Sequence, residues 1–255
     1  MVASGVWAGT IPLKEAYDLQ EVSGGTATQK SELERIGYLG ALEADHEVNP
    51  IGAHFELHIE QGPILEASGG KIGAVEGVQA YKWYTITVKG SDCHTGTTDF
   101  KNRSDAMLTA AKLILHSHNK AAEMGCLAST GILNLKPGST NTVPGWVQFS
   151  LDIRSREDAK VLMLETALRD EFAKIAAGKV VGGLNLAGTN GRGCGVEWRL
   201  DSDSPAVNFH DDCVQCVEAS ANNMLGSESG ALVQRMTSGA GHDSVNTSKR
   251  APTSM

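Results

Sequence analysis

A clear alternation of apolar and polar residues lies in the stretch HFELHIEQGPILE, residues 54–66. In FELHIEQ, residues 55–61, every second residue is apolar, which is the period of a strand with one packed face. Gly62-Pro63 ends the pattern, because proline lacks a backbone donor and glycine interrupts the pleat. The pattern predicts a strand over 55–61 that carries a histidine near its carboxyl end, where ligands bind in α/β folds. An ordinary exposed strand face is the alternative.

The remaining periodicity predicts alternating helices and strands. Apolar residues recur at helical spacing in five stretches, which are 11–19, 28–39, 102–124, 157–177 and 211–224. Runs typical of strands, several of them rich in β-branched and aromatic residues, occupy 82–90, 128–135, 146–154 and 194–200. The glycine-rich segment 178–195 lacks the Gly-Lys-Ser/Thr ending of a phosphate loop and favours a plain loop.

The order of these elements predicts two domains. Between residues 77 and 204 the order is β-α-β-β-α-β, which gives a four-stranded antiparallel sheet with two helices on one face. We expect 77–204 to be a compact domain inserted into another one. Residues 1–76 and 205–255 would then form two pieces of a single α/β domain, so the predicted fold class is α/β.

Composition excludes several classes of protein. The chain has 255 residues, 41% of them hydrophobic and 20% charged, which is ordinary for a globular protein. The net charge of −8 argues against nucleic-acid and membrane-surface partners, because both are polyanionic. No apolar run is long enough to cross a bilayer, and we expect a cytoplasmic protein. The five cysteines do not make a disulfide framework in a chain of this length.

A further histidine stands in the segment SGAGHDS, residues 238–244. Two glycines and a serine before His242 predict a tight loop, and a histidine on such a loop is free to point into a cleft. An ordinary loop histidine without a function is the alternative.

Four motifs together resemble one known family. HIEQGPILE, DCHTGTTDF, the STNTVPG turn before FSLDIRS, and SGAGHDS occur in the order found in zinc-dependent amidohydrolases. That group comprises N-carbamoyl-L-amino acid hydrolases, yeast-type β-ureidopropionase and allantoate amidohydrolase, within the wider acetylornithine deacetylase and aminoacylase-like metallopeptidases. The resemblance implies a catalytic α/β domain with two divalent metal ions, zinc or manganese, cobalt or nickel. It also implies an inserted dimerisation domain, a homodimer, and an N-carbamoyl or ureido amino acid as substrate.

The resemblance implies roles for individual residues. The metal ligands would be His58 and His242, the catalytic residue would be His94, and the substrate-binding residues would be Gln61, Asn141 and Arg154. Neutral imidazole is a common zinc ligand, and His94 would stabilise a developing oxyanion. The planar fork of Arg154 suits a carboxylate, and Asn141 would assist it. Without the resemblance, we would interpret Arg154 as an ordinary charged residue at the end of a strand and Asn141 as an ordinary turn residue.

The chain also departs from the family pattern. The family's first metal histidine, bridging aspartate, glutamate ligand and general-base glutamate precede the position aligned with Met1, and relatives continue past Met255. We therefore expect an incomplete catalytic domain of doubtful activity, in which Glu56 or Glu60 could replace a ligand. The predicted function is hydrolysis of linear, non-peptide C–N bonds. The alternatives are a non-catalytic dimerisation module or gene-model fragment, and an aminopeptidase or aminoacylase-like metallohydrolase.

Overall fold

The computed structural model describes residues 1–179, 181, 191–226 and 229–255. These residues form two compact units, an outer unit of Met1–Val78 with Val207–Met255 and an inserted unit of Gln79–Ala206. The division lies two residues after each boundary expected from the sequence, at 79 rather than 77 and at 206 rather than 204.

The α/β class predicted from the sequence is confirmed. The helices are α1 (Val2–Trp7), α2 (Leu13–Asp18), α3 (Gln29–Arg35), α4 (Ile64–Ser68), α5 (Ala106–Glu123), α6 (Asp158–Ala176), α7 (Asp211–Leu225), α8 (Ser229–Leu232) and α9 (Asp243–Thr247). The strands are β1 (His54–Phe55), β2 (Ile72–Val78), β3 (Ala80–Lys89), β4 (Cys93–His94), β5 (Leu127–Ser129), β6 (Leu133–Lys136), β7 (Thr142–Val143), β8 (Trp146–Ser155), β9 (Gly195–Ser204), β10 (Val207–Asn208), β11 (Val233–Ser238) and β12 (Thr253–Ser254).

The inserted unit contains an antiparallel sheet in the order β5-β8-β3-β9, and β6 also pairs with β8. Alternate residues of β8 are buried along its whole length, as the period-2 pattern requires. Leu113 of α5 and Leu168 of α6 pack in one core cluster with Phe149 of β8. Both long helices therefore contribute to a single hydrophobic core with the sheet.

The predicted continuous strand over 128–135 is wrong, because the structure splits it into β5 and β6. The Ser150 hydroxyl of the neighbouring β8 accepts hydrogen bonds from the backbone N–H groups of Gly131 and Ile132, at 3.1 and 3.0 Å. A side chain thus takes over two backbone donors that an unbroken ladder would use. The sheet consequently has five strands rather than four.

Helix α5 begins later than predicted. A short 3-10 turn occupies Phe100–Asn102, and the helix starts only after Asp105, whose carboxylate accepts a hydrogen bond from Leu108 N at 2.8 Å. Such a carboxylate satisfies one of the free N–H groups of the first turn. At the other end Gly125 has φ +65°, a left-handed conformation that suits glycine.

The outer unit contains a sheet in the order β10-β2-β11, in which β10 is antiparallel and β11 parallel to β2. Val78 of β2, Val214 of α7 and Val245 of α9 share one core cluster. The parallel pair β1 and β12 joins His54 to Thr253 and Phe55 to Ser254. This pairing places the start of the HIEQ segment beside the end of the chain.

The predicted strand over 55–61 is wrong beyond Phe55. One further ladder bond joins Glu56 N to Ser254 O at 3.2 Å, and the backbone then leaves the strand. Leu57 is 100% exposed and Ile59 is 74% exposed, so the packed face that the alternation predicts does not form. The helices predicted over 11–19 and 28–39 are shorter, because α2 starts after Pro12 and α3 is confined to a capped 29–35.

Most of the predicted glycine-rich loop, namely residues 180 and 182–190, lies outside the described residues. Within the described part of the chain, no helix has the length and apolar character needed to span a bilayer.

Candidate metal centre

The two histidines predicted as metal ligands lie together in the outer unit. The rings of His58 and His242 meet edge to face, with centroids 4.5 Å apart. His58 stands on the extended segment that follows β1, and its Nδ1 lies 2.6 Å from the Ile59 carbonyl. A carbonyl can only accept, so Nδ1 carries the proton, and Nε2 keeps the lone pair that coordination requires.

His242 is placed by the loop between β11 and α9. It is 6% exposed and precedes the first residue of α9, Asp243. Its Nε2 lies 2.7 Å from the Ser238 hydroxyl, at the end of β11. Burial, assisted by the neighbouring His58, lowers the pKa of His242 below its ordinary value. The shift favours the neutral ring, the form in which histidine binds metal ions.

Glu56 completes a group of three donors. One ligand atom each of Glu56, His58 and His242 lies within 4.8 Å of the other two. The Oε2 atom of Glu56 accepts hydrogen bonds from Ser244 N at 2.9 Å and from Ser244 Oγ at 2.6 Å. His54 Nε2, which is buried without a hydrogen-bond partner, lies 3.9 Å from the same oxygen.

The donor set fits a divalent metal ion. Two histidines and one glutamate are the protein ligands of several catalytic zinc sites, and zinc then keeps a fourth position for water or substrate. Mixed nitrogen and oxygen donors also suit manganese, cobalt and nickel. Of the two glutamates that the sequence offered as substitute ligands, Glu56 lies in this group. Glu60 is used elsewhere, since its carboxylate accepts hydrogen bonds from Ile64 N and Leu65 N at 2.7 and 2.8 Å.

Gln61 follows directly in an unusual backbone conformation. Among the described residues it is the non-glycine residue with positive φ, at +58°. This left-handed region costs a residue with a side chain roughly 1 kcal/mol, and such conformations concentrate at functional positions. The neighbouring Glu60 fixes this turn, because its carboxylate accepts the hydrogen bonds from the first turn of α4. The Gln61 side chain is exposed at this turn.

The inserted unit brings His94 and Asn141 together. His94 of β4 pairs with Thr142 of β7, and its Nδ1 accepts a hydrogen bond from Gly96 N at 3.1 Å. The Asn141 carbonyl accepts a hydrogen bond from Thr95 N at 3.0 Å. This short ladder continues the β3–β8 pairing past the first residue of β8.

Arg154 lies near the other end of β8. Its Nε and Nη2 atoms bond the Asp152 carboxylate, at 2.9 and 2.6 Å, and its guanidinium stacks over the Tyr81 ring, 5.2 Å from the centroid. The strand from Trp146 to Arg154 alone spans about 26 Å at the usual rise of 3.3 Å per residue. Within one inserted unit, Arg154 and Asn141 therefore cannot hold the same small carboxylate.

Comparison with known proteins identifies the family. The family model described as Peptidase family M20/M25/M40 matches residues 26–255. The chain belongs to this family. It is 35% identical, over its whole length, to an N-carbamoyl-L-amino-acid amidohydrolase of Rhizobium meliloti, and it covers 56% of that protein. It is 29% identical over 80% of its length to the allantoate amidohydrolase of Escherichia coli, of which it covers 46%.

Solved structures agree with this assignment. The crystal structure of an amidase of the hydantoinase/carbamoylase family from Burkholderia multivorans superposes with a TM-score of 0.81 at 35% identity. The match covers all of this chain and 57% of that one. The M20 chain described above thus spans little more than half the length of the relatives it matches.

Sequence reasoning missed two residues beside the candidate metal centre. Ser244 and His54 both contact or approach Glu56, and neither carries a signal in the sequence taken alone. Ser244 is the last residue of the SGAGHDS motif, so the sequence shows that it lies close to His242. The sequence does not show that Ser244 donates a hydrogen bond to Glu56, which lies 188 positions earlier.

Proposed function

We propose that this M20 chain hydrolyses a linear, non-peptide C–N bond of an N-carbamoyl or ureido amino acid. The observation that carries the proposal is the group of Glu56, His58 and His242, found in a chain similar to carbamoyl amino acid and allantoate amidohydrolases. In this proposal the three side chains contribute to a site for divalent metal ions, zinc or else manganese, cobalt or nickel. Such an ion, when bound, polarises a carbonyl and makes water a better nucleophile.

The other residues bind and orient the substrate. Gln61, presented on its left-handed turn, donates a hydrogen bond to the carbamoyl or amide oxygen. His94 donates to the oxygen on which negative charge develops, so that the transition state is bound more tightly than the ground state. Arg154 and Asn141 bind the substrate carboxylate, Arg154 through its planar fork.

The proposed enzyme acts as a homodimer. About 26 Å of strand separates the start of β8 from Arg154, and Asn141 lies beyond that start. A carboxylate that contacts both residues therefore needs one of them from each of two copies. The two-metal site of the family remains a further part of the proposal, with His58 and His242 on different ions and additional ligands from outside the described group.

The test is hydrolysis by the purified chain, loaded in turn with zinc, manganese, cobalt or nickel. We expect ammonia release from N-carbamoyl-L-amino acids, N-carbamoyl-β-alanine or allantoate. His58→Ala and His242→Ala should each lower kcat/KM by about 10²-fold or more, because loss of a ligand releases the ion. His118→Ala, which removes an exposed histidine of α5, is the matched control and should leave kcat/KM unchanged.

The same experiment separates the alternatives. Metal binding and dimer formation without turnover of any of these substrates would favour the non-catalytic dimerisation module. Release of amino acids from dipeptides, with no ammonia from carbamoyl substrates, would favour the aminopeptidase. Turnover that survives both histidine substitutions would show that the catalytic group lies elsewhere.

A further inference from the structure

His94 stands at the start of a loop with little regular structure to support it. Strand β4 comprises Cys93–His94 alone, and its ladder with β7 pairs two residues of each strand. The His94 side chain is exposed, so packing alone does not fix its ring. Hydrogen bonds within the following loop, residues 95–103, therefore decide how the ring is held and which of its nitrogens carries a proton.

The Gly96 backbone determines the tautomer of His94. Gly96 N donates a hydrogen bond to His94 Nδ1 at 3.1 Å. An atom that accepts such a bond keeps its lone pair, so the proton of the neutral ring is on Nε2. Nε2–H is then the donor of the imidazole. A donor is what an oxygen with developing negative charge requires, and this is the role that the proposed function gives His94.

Arg103 contacts the same peptide group from its other side. The Thr95 carbonyl and the Gly96 N–H belong to one planar peptide unit, so the position of the first determines the direction of the second. Arg103 Nη2 donates to Thr95 O at 2.6 Å. A carbonyl that accepts from a cation is polarised, which makes the N–H of the same peptide a stronger donor. Two hydrogen bonds and one rigid peptide therefore connect Arg103 to the His94 ring.

The guanidinium of Arg103 is itself fixed. Its Nε donates to Thr98 O at 2.9 Å, so the planar fork spans two carbonyls of the loop. Its Cζ lies 4.9 Å from the centroid of the Phe100 ring, within the range of cation–π attraction. The Arg103 carbonyl accepts a hydrogen bond from Arg192 N at 2.8 Å. The side chain thus cannot move away from Thr95 without losing further contacts.

We propose that Arg103 is a positioning residue for His94, which holds the Thr95–Gly96 peptide so that the imidazole presents a protonated Nε2. The inference rests on the proposed function for the reaction in which His94 donates. It goes further in assigning the tautomer of His94 and the residue that maintains it. Arg103 acts through the loop and not by touching the reacting atoms.

A purely structural role for Arg103 makes a different prediction. If the arginine only stabilises the loop, its loss lowers stability, leaves the protonation of the imidazole unchanged and alters kcat by the same factor whether or not His94 is present. If Arg103 acts through His94, its loss mixes the two tautomers and has no further effect on kcat once the imidazole is gone. The state of the ring and a double-mutant cycle with His94 separate the two roles.

The first measurement records the imidazole ¹⁵N spectrum of the full chain at about pH 8.5, where an ordinary histidine is neutral. The His94 signals are assigned by their absence from His94→Ala. We expect a single tautomer in the wild type, with Nδ1 unprotonated and Nε2 protonated. Arg103→Met keeps an apolar stem and removes the fork, so the two nitrogen signals should move towards each other. The Gly96 amide should also exchange with solvent about 10-fold faster, because its hydrogen bond is weakened.

The second measurement is turnover of a substrate that the wild-type chain accepts. Arg103→Met should lower kcat about 10-fold with little change in KM, because His94 acts on the transition state. In the His94→Ala background the same substitution should change kcat by less than about 2-fold, since the residue through which Arg103 acts is then absent.

Arg192→Met is the matched control. Arg192 is an exposed arginine near the same loop, and its Nη2 donates to Asn102 Oδ1 at 3.2 Å. We expect this variant to keep the wild-type ring spectrum, Gly96 exchange and kcat. Should Arg103→Met fail to fold, as judged by circular dichroism, Arg103→Lys retains the charge with a point donor in place of the fork and should show the same changes at smaller size.

Failure of this inference is distinct from failure of the proposed function. A wild-type ring with Nδ1 protonated, or a ring spectrum and Gly96 exchange that both Arg103 variants leave unchanged, overturns the positioning role even in an active chain. An equal loss of kcat with and without His94 also overturns it. A chain that turns over none of the substrates, while the ring and exchange measurements follow expectation, removes the proposed function and keeps the assignment of the tautomer to Arg103.

Discussion

Two stretches with the same alternation of apolar and polar residues behave differently in the two units. Along β8 of the inserted unit, each second side chain from Val147 to Ser155 is buried. In the outer unit the same period over 55–61 gives a two-residue strand, after which Leu57 and Ile59 are exposed. The difference lies in the neighbours, because β8 has backbone partners on both sides and the outer segment has Thr253–Ser254 on one. Alternation predicts a strand only where another strand completes the ladder.

The strongest test of this comparison replaces one leucine by alanine in each of the two stretches. Leu151 of β8 is 0% exposed and Leu57 is 100% exposed. Leu151→Ala should lower the free energy of unfolding by about 2–5 kcal/mol, because it removes buried contacts and leaves a cavity. Leu57→Ala should change it by no more than about 0.5 kcal/mol.

Urea titrations would measure both effects. Tryptophan fluorescence reports mainly on the inserted unit, which holds Trp83, Trp146 and Trp198, and circular dichroism follows both units. A large loss of stability in Leu57→Ala would mean that the 55–61 stretch packs in solution against a surface the described residues do not show. The number of neighbouring strands would then not explain the difference between the two stretches.

A second test concerns the charged group between α5 and α6. Glu171 Oε2 lies 2.6 Å from His116 Nε2, and Lys120 Nζ donates to Glu171 Oε1 at 2.9 Å. Glu171→Gln should cost about 2 kcal/mol, because the buried His116 loses its charged partner. Asp170→Asn is the control, since Asp170 forms an exposed pair with Lys174 that contributes little.

The Glu171 contribution should depend on pH. Burial raises the pKa of Glu171, but the hydrogen bonds from His116 and Lys120 outweigh it, so the pKa is lowered. A group with a lowered pKa stabilises the folded state above its unfolded pKa, near 4.3 for glutamate, and loses that effect as pH falls through its folded value. The stability difference between wild type and Glu171→Gln should thus be full near pH 6 and shrink below about pH 4. A constant difference over this range would show that ionisation of Glu171 does not stabilise the helix pair.

The smallest expected effect is a change in stability at two left-handed residues, and it has opposite signs in the two units. Gln61 and Gly125 both have left-handed backbones, with φ +58° and +65°. Gln61→Gly should raise stability by about 0.5–1 kcal/mol, because it removes the strain of the side chain, while turnover falls with the lost amide. Gly125→Ala should lower stability by about 1 kcal/mol. Equal thermal midpoints for Gln61→Gly and wild type would mean that the turn carries no strain.

Much of the inserted unit could be predicted, because the periodicity of each strand and helix is contained in its own stretch of sequence. Strands β3 and β8 and helix α6 lie within two residues of the predicted ranges, since each has a clear period and a large buried face. The break between β5 and β6 could not be predicted, because it depends on which residue of β8 lies opposite Gly131.

The candidate metal centre was predictable only in part. His58 and His242 were found through motifs, and Glu56 through its spacing from His58. The bonds from Ser244 to Glu56 join distant segments, and they require the register of β1 against β12, for which two-residue strands leave no periodic signal. The separation of Arg154 from Asn141 likewise follows from the direction of β8 rather than from either residue.

The Asp152–Arg154 contact has a consequence for ligand selection. Asp152 is a carboxylate held two residues from the guanidinium, so it behaves as a tethered ligand with an effective concentration on the order of millimolar or above. A carboxylate from solution must displace it, and a small acid such as acetate, which makes the same contact without the tether, is at a disadvantage against it. Only a molecule that makes additional contacts at the same time gains enough free energy to exchange with Asp152. If Arg154 binds the substrate carboxylate as proposed, exchange with Asp152 favours ligands that are recognised at more than one point over small acids.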